Sequence, residues 1–96
     1  MNRLELSAFV EGDLDEIAAY IAEDNPARAV TFIGEIRMKF REIQRAPLLH
    51  QLRPDIGDEA RMVTVGSYAI LFRVAGETVR IERVVYGGRD LPSLFG

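Results

Sequence analysis

The sequence contains no cysteine and only one histidine. The absence of cysteine excludes structural disulfides, zinc sites built from thiolates and a cysteine nucleophile. A small domain without disulfides is compatible with the reducing cytosol. The single histidine, His50, lies in a segment bounded by prolines. We interpret it as a solvated loop residue, so a histidine-based catalytic triad is not expected.

Long apolar stretches are also missing. The apolar runs are only a few residues long, as at residues 69–72, whereas a membrane-spanning helix needs about 20 predominantly apolar residues. Residues 1–5 lack the basic region followed by an apolar core that characterises a secretory signal. These features predict a cytoplasmic protein without a membrane anchor.

An excess of basic charge is absent too. The formal net charge of −3 argues against a dedicated sequence-specific DNA-binding domain. The charge is uneven along the chain, since residues 1–26 carry seven acids and one base, whereas residues 27–54 carry six bases and two acids. This asymmetry indicates either two helices that pair with each other or a surface arranged for a partner.

The first half of the chain has the periodicity of two helices. Residues 3–6 are predicted to form a short strand, and Ser7 is predicted to cap the helix that follows it. Apolar residues at spacings of three and four predict that helix, at Val10, Leu14, Ile17 and Ile21. Asn25 and Pro26 begin a second helix that runs to about residue 46. Its apolar stripe comprises Ala29, Ile33, Ile36, Phe40 and Ile43, with Phe32 alongside.

The second half is typical of a small sheet. Residues 47–59 are interpreted as a surface loop, and residues 61–65, 68–74 and 78–86 as three strands joined by hairpin turns. The element order β-α-α-β-β-β predicts an α+β fold, with a helix hairpin packed on one face of a mainly antiparallel sheet. A short tail or helical turn follows, and residues 1–96 are expected to form one domain.

One helix hairpin covers only one face of such a sheet. Alternation along the middle strand places Leu71 on the opposite face, and we expect Val84 and Tyr86 to point there as well. An exposed apolar patch on a small protein usually marks a partner site. The alternative is that the tail, residues 91–95, folds back over the patch.

Several carboxylates cluster on or beside the first helix, at Asp13, Asp15, Glu16, Glu23 and Asp24. Their spacing is not that of a calcium-binding loop. We therefore interpret them as a solvated helix face, and we expect neither a metal site nor a cofactor.

The whole chain resembles the ParE toxins of type II toxin–antitoxin modules, within the RelE/ParE superfamily. The resemblance rests on the order and spacing of several segments: residues 13–17 with Tyr20 and Ile21, residues 24–26 with Ala29, and residues 66–68, 72–74, 81–84 and 87–91. One difference is Tyr86, where many relatives have a histidine before the Gly-x-Arg-Asp segment.

The superfamily divides by target into RelE-like enzymes that cleave mRNA on the ribosome and ParE-like toxins associated with DNA gyrase. Cleavage of RNA without a metal needs cations at the phosphate and a group that moves protons. In the RelE pattern an arginine follows the tyrosine of the middle strand, but this chain has Ala69 there. Phe95 stands where that pattern has a tail tyrosine, whereas Arg89 and Arg61 match its basic positions. Only part of the RelE pattern of residues is therefore present, which favours the branch that acts on gyrase without catalysis.

The resemblance also implies a partner, a ParD-type antitoxin that binds DNA itself and forms a hetero-oligomer with the toxin. We expect the antitoxin to contact the open sheet face at Leu71, Arg73, Val84 and Tyr86. The candidates for contact with the target are Arg61, Arg83, Arg89 and Phe95. No catalytic residue is assigned. The alternatives are a ribosome-dependent mRNA endoribonuclease and a non-toxic remnant that only binds antitoxin.

Overall fold

A computed structural model of the chain describes residues 2–95. Its elements, in chain order, are β1 (Arg3–Leu6), α1 (Val10–Ala22), α2 (Pro26–Arg45), a 3₁₀ turn (Pro47–Leu49), β2 (Arg61–Val65), β3 (Tyr68–Ala75), β4 (Thr78–Tyr86) and α3 (Leu91–Leu94). The strand order in the sheet is β1-β4-β3-β2, in which β1 runs parallel to β4 and the other pairs are antiparallel. This confirms the predicted α+β architecture.

The boundaries of the two long helices follow from local chemistry. Asn25 caps α2, since its Oδ1 accepts a hydrogen bond from the Arg28 N–H at 3.0 Å. The prediction that Ser7 caps α1 is wrong, because α1 begins at Val10 with Phe9 in the capping position. The Ser7 hydroxyl oxygen accepts from the Phe9 N–H at 3.2 Å, ahead of the first helical residue, and the hydroxyl donates to the Glu82 carbonyl at 2.6 Å, which joins the end of β1 to β4. Within residues 2–95 no helix has the length and apolarity that crossing a bilayer requires.

The main core lies between the helix hairpin and one face of the sheet, here called the helix face. The predicted helix stripes supply its helical half, with Val10, Leu14, Ile17, Phe32, Ile36, Phe40 and Ile43 all buried. Strands β3 and β4 supply the other half, through Ile70, Phe72, Val79, Ile81 and Val84. The helical periodicity in the sequence therefore identified the residues that pack on the sheet.

A β-bulge in β4 changes which residues share a face. Leu71 pairs with Arg83, but Phe72 pairs with Ile81, so Glu82 is an extra residue. One extra residue inverts the alternation of side chains beyond it. The prediction that Val84 lies on the same face as Leu71 is therefore wrong, because Val84 is buried in the main core. The side chain of Tyr86 likewise lies beside Tyr68 at the end of the helix face.

The opposite face of the sheet, here called the far face, carries a second core. Leu71 is fully buried in it, together with Ile56, Ala60, Ala69, Val85 and Leu91. Leu94 and Phe95 from the tail pack against this cluster. The interpretation in which the tail folds back over the patch is therefore correct, and the far face is not an open partner site. The segment predicted as a surface loop also contributes, since Ile56 is buried.

Candidate interaction surfaces

Asp13 closes the sheet where β1 ends. Strand β1 pairs with β4 only as far as Ile81, so among residues 2–95 no strand lies beside the following residues of β4 on that side. The Asp13 carboxylate takes the place of one. It accepts hydrogen bonds from the Val84 N–H at 3.0 Å and from Arg83 Nε and Nη2 at 2.9 and 2.8 Å. The Asp13 side chain is only 5% exposed, so this carboxylate is not part of a solvated helix face.

Arg83 is held by contacts within the fold. Its guanidinium lies 4.7 Å from the centre of the Phe9 ring, and it makes a bidentate ion pair with Asp13. The hydrogen bonds that Arg83 donates to the Asp13 carboxylate raise the pKa of Arg83 further above its usual value, although burial opposes the shift. Arg83 therefore remains positively charged. The sequence suggested Arg83 as a contact with the target, but its guanidinium is engaged by Asp13 and Phe9 within the fold.

A groove lined by tyrosines lies where α1 meets the end of the sheet. Its lining residues are Tyr20, Ile21, Ser67, Tyr68 and Tyr86, and its volume is about 520 Å³. The Tyr86 ring meets the Tyr68 ring edge-on at 6.3 Å between centroids, which is a favourable geometry for aromatic pairs. Tyr20 and Tyr86 are both mostly exposed. We refer to these five residues as the tyrosine groove.

Arg89 lies beside the tyrosine groove. It lines a smaller adjoining groove that shares Tyr68 and Tyr86 and includes Glu16. Within the part of the chain that the structure describes, the Arg89 side chain makes no ion pair. Burial raises the pKa of Tyr68, and the neighbouring Tyr20 and Tyr86 add to the effect, so its phenol is neutral at physiological pH. The tyrosine rings and the Arg89 guanidinium provide aromatic surface and hydrogen-bond donors, and Tyr and Arg are enriched at protein interfaces.

On the far face, Arg73 and Phe95 form one unit. The Arg73 guanidinium lies 4.3 Å from the centre of the Phe95 ring, and Arg73 Nε is 2.9 Å from Glu82 Oε2. Gly57 leaves room for the ring, because a Cβ atom at that position would lie 2.6 Å from Phe95 Cδ2. Phe95 therefore holds the tail on the far face of the sheet.

Replacing Phe95 with alanine is expected to lower the free energy of unfolding by about 1–2 kcal/mol, since a half-buried ring and a cation–π contact are lost. Phe95→Leu retains apolar volume without the cation–π contact, so its loss should be about half as large. Urea denaturation monitored by circular dichroism measures both. An alanine variant as stable as the wild type would contradict the role of Phe95 as an anchor of the tail.

The structure separates the residues that the sequence grouped together. Tyr86 and Arg89 lie beside one groove, whereas Arg73 and Phe95 stack on the far face. Arg61 lies on the edge strand β2, where its Nη1 donates to the His50 carbonyl at 2.6 Å. The remaining candidates are internal: Leu71 in the far-face core, Val84 in the main core and Arg83 against Asp13.

Two residues gained a role that the sequence did not assign. Asp13 is one of several acids on α1, and its position in the sequence does not distinguish it from the neighbouring acids that are exposed to solvent. Tyr20 falls outside the apolar stripe of α1, and an exposed aromatic residue at such a position is a usable signal of an interface. No group of three or more metal-ligating side chains occurs among residues 2–95.

Comparison with known proteins gives one consistent family. The family model described as "ParE toxin of type II toxin-antitoxin system, parDE" matches residues 4–91. Toxin ParE3 of Caulobacter vibrioides is 28% identical over 97 residues, which covers 100% of this chain and 97% of that protein. A solved structure titled "Chromosomal ParDE TA system from P. aeruginosa" shares the fold, with a TM-score of 0.77 and 24% identity over 90% of this chain and 96% of that one. Because the family model covers nearly the whole sequence, this chain belongs to the ParE toxin family of type II toxin–antitoxin systems.

Proposed function

We propose that this protein arrests growth by binding and inhibiting DNA gyrase, without catalysis of its own, and that a ParD-type antitoxin neutralises it. The observation that carries the proposal is that two of the groups an RNA-cleaving relative would use, an arginine on the middle strand and a tyrosine in the tail, are replaced here by Ala69 and Phe95. Ala69, at the position of an arginine in the RelE pattern, is fully buried in the far-face core. Phe95 has no hydroxyl and stacks on Arg73.

The tyrosine groove and Arg89 are the proposed contact with the target. Protein interfaces depend on a few aromatic and arginine side chains that become desolvated on binding. Tyr20 and Tyr86 are mostly exposed, and the Tyr86 ring packs edge-on against Tyr68, so Tyr86 loses less conformational freedom when a partner binds. This chemistry suits recognition of a protein surface, whereas cleavage of a phosphodiester needs several cations around one phosphate.

The proposal implies where the protein acts and with what it assembles. Gyrase acts on the bacterial chromosome, so the protein is expected to work in the cytoplasm and to be held there in a hetero-oligomer with its antitoxin. The net charge of −3 supports the view that operator DNA is bound by the antitoxin and not by this chain.

Induction in bacteria without antitoxin tests the proposal. The wild-type protein should stop growth with DNA breaks, while mRNA half-lives stay unchanged. Tyr86→Ala and Arg89→Ala should each reduce inhibition of purified gyrase about tenfold or more, as expected for residues central to an interface. Arg28→Gln is the matched control, because Arg28 is an exposed arginine of α2 outside both grooves.

Three outcomes would contradict the proposal. Growth arrest with ribosome-dependent mRNA cleavage that Arg89→Ala abolishes would identify an endoribonuclease. Unimpaired growth together with a stable antitoxin complex would identify a non-toxic remnant. Equal inhibition of gyrase by the wild type and by both groove variants would place the target contact elsewhere.

A further inference from the structure

Three exposed leucines follow the C-terminus of α2. Among residues 2–95, eight large apolar or aromatic side chains are exposed, and three of them lie within one five-residue stretch as Leu48, Leu49 and Leu52. Leu48 is 68% exposed and Leu49 is 84% exposed. Isolated exposed leucines are ordinary, but a contiguous group on a small protein usually marks an interaction site.

The turn that carries these leucines is anchored. Pro47 is buried, and the Leu49 N–H donates to the Ala46 carbonyl at 3.3 Å. The His50 ring meets the Phe72 ring edge-on at 5.7 Å, and the His50 carbonyl accepts from Arg61. The leucines are thus displayed on a fixed turn, and a partner would lose little binding free energy in ordering them.

A basic groove adjoins the turn. It is lined by Asn2, Arg41, Gln44 and Arg45 and has a volume of about 630 Å³. The Asn2 and Gln44 side chains each donate to the other residue's backbone carbonyl, at 2.8 and 2.9 Å, and so fix its floor. Arg41 and Arg45 are one helical turn apart and make no ion pair with any residue that the structure describes. Two like charges at this spacing repel each other in the absence of an anion.

The basic and apolar parts form one surface. Asn2 also lines a second groove of about 320 Å³, together with Pro47, Leu48 and Leu49. A ligand that fits this surface must bring anionic groups toward Arg41 and Arg45 and aliphatic groups toward the leucines, and in a protein partner the anionic groups are carboxylates. A membrane is a poorer match, because basic patches that bind anionic lipid usually carry about four to eight Lys or Arg residues, whereas this groove has two.

We infer that this surface, formed by Arg41, Arg45, Leu48 and Leu49 and here called the turn surface, docks the antitoxin through a segment in which acidic residues adjoin aliphatic ones. The inference rests on the proposed neutralisation by a ParD-type antitoxin. It places the antitoxin contact away from the tyrosine groove, since the two share no lining residue.

The test is a calorimetric titration of the purified chain with the antitoxin encoded beside it. Leu48→Ser/Leu49→Ser should raise the Kd about 10- to 100-fold, as expected for the apolar centre of an interface. Arg41→Gln/Arg45→Gln should raise the Kd about tenfold and weaken its dependence on salt, because charges mainly accelerate association. These side chains lie on the surface, so thermal unfolding of each variant should match the wild type.

Two single variants serve as controls. Met38→Ser removes an equally exposed apolar side chain of α2, and Arg28→Gln removes a cation from the same helix. Both should bind the antitoxin with wild-type affinity. Vesicles of phosphatidylserine and phosphatidylcholine provide the comparison with a membrane, and the wild-type chain should not sediment with them.

The outcomes separate this inference from the proposed function. A wild-type chain that does not bind the antitoxin overturns both. If the wild type binds and both double variants keep their Kd within twofold, the inference alone is overturned. Vesicle binding that depends on Leu48 and Leu49, with antitoxin affinity unchanged, also overturns it by assigning the turn surface to lipid.

Discussion

Replacing Leu71 with aspartate is expected to unfold the protein. Leu71 is fully buried in the far-face core, in one cluster with Val85 and Leu91. The substitution removes about 2–3 kcal/mol of apolar burial and places an unpaired carboxylate in an apolar site, at a cost of several kcal/mol more. A domain of this size is stable by only about 5–15 kcal/mol.

The expected result is a chain without a cooperative thermal transition and without near-ultraviolet circular dichroism. Leu49→Asp is the matched control, because it introduces the same charge at a leucine that is 84% exposed. That variant should keep the wild-type transition within about 0.5 kcal/mol. A folded Leu71→Asp variant of normal stability would show that the tail does not cover the far face in solution.

Replacing Asp13 with alanine is expected to lower the free energy of unfolding by about 3–5 kcal/mol, because one change leaves a half-buried guanidinium and a buried backbone N–H without their acceptor. The groups concerned are Arg83 and the Val84 N–H, both within 3.0 Å of the carboxylate. Asp13→Asn should have an intermediate effect, since an amide oxygen still accepts from the backbone but carries no charge.

Chemical denaturation of the wild type and of these four variants measures this contribution. The Asp13→Ala/Arg83→Met double variant should be more stable than Asp13→Ala alone, because it removes the orphaned cation. Asp15→Ala tests an exposed acid of the same helix and should change stability by about 0.5 kcal/mol or less. An Asp13→Ala variant within about 1 kcal/mol of wild type would contradict the proposed closure of the sheet.

The elements themselves were predictable, because helical and strand periodicities are local properties of a chain. The stripe from Val10 to Ile17 and the cap at Asn25 depend on contacts within a few residues, and both occur as expected. The alternation along β3 also correctly placed Ile70 and Phe72 on one face and Leu71 on the other. Each of these predictions needs only the repeat of one element.

The candidate sites were less predictable, because they depend on contacts between distant parts of the chain. Asp13 and Arg83 are 70 residues apart, and neither is distinguished from nearby charges by its sequence context. Arg73 and Phe95 seemed available to partners until the structure placed them against each other. The tyrosine groove and the turn surface likewise combine residues from separate elements.

The sequence by itself determined the element order, the residues facing the helix side of β3 and the family resemblance, since these follow from local periodicity and from the order of short motifs. Only the tertiary structure decided which residues of β4 face the helices and what covers the far face. The bulge at Glu82 inverts the alternation and buries Val84, and the tail buries Leu71. The bulge and the covering of the far face both depend on pairing and packing between distant segments. The free energy of such contacts cannot be deduced from the residue pattern of either segment alone.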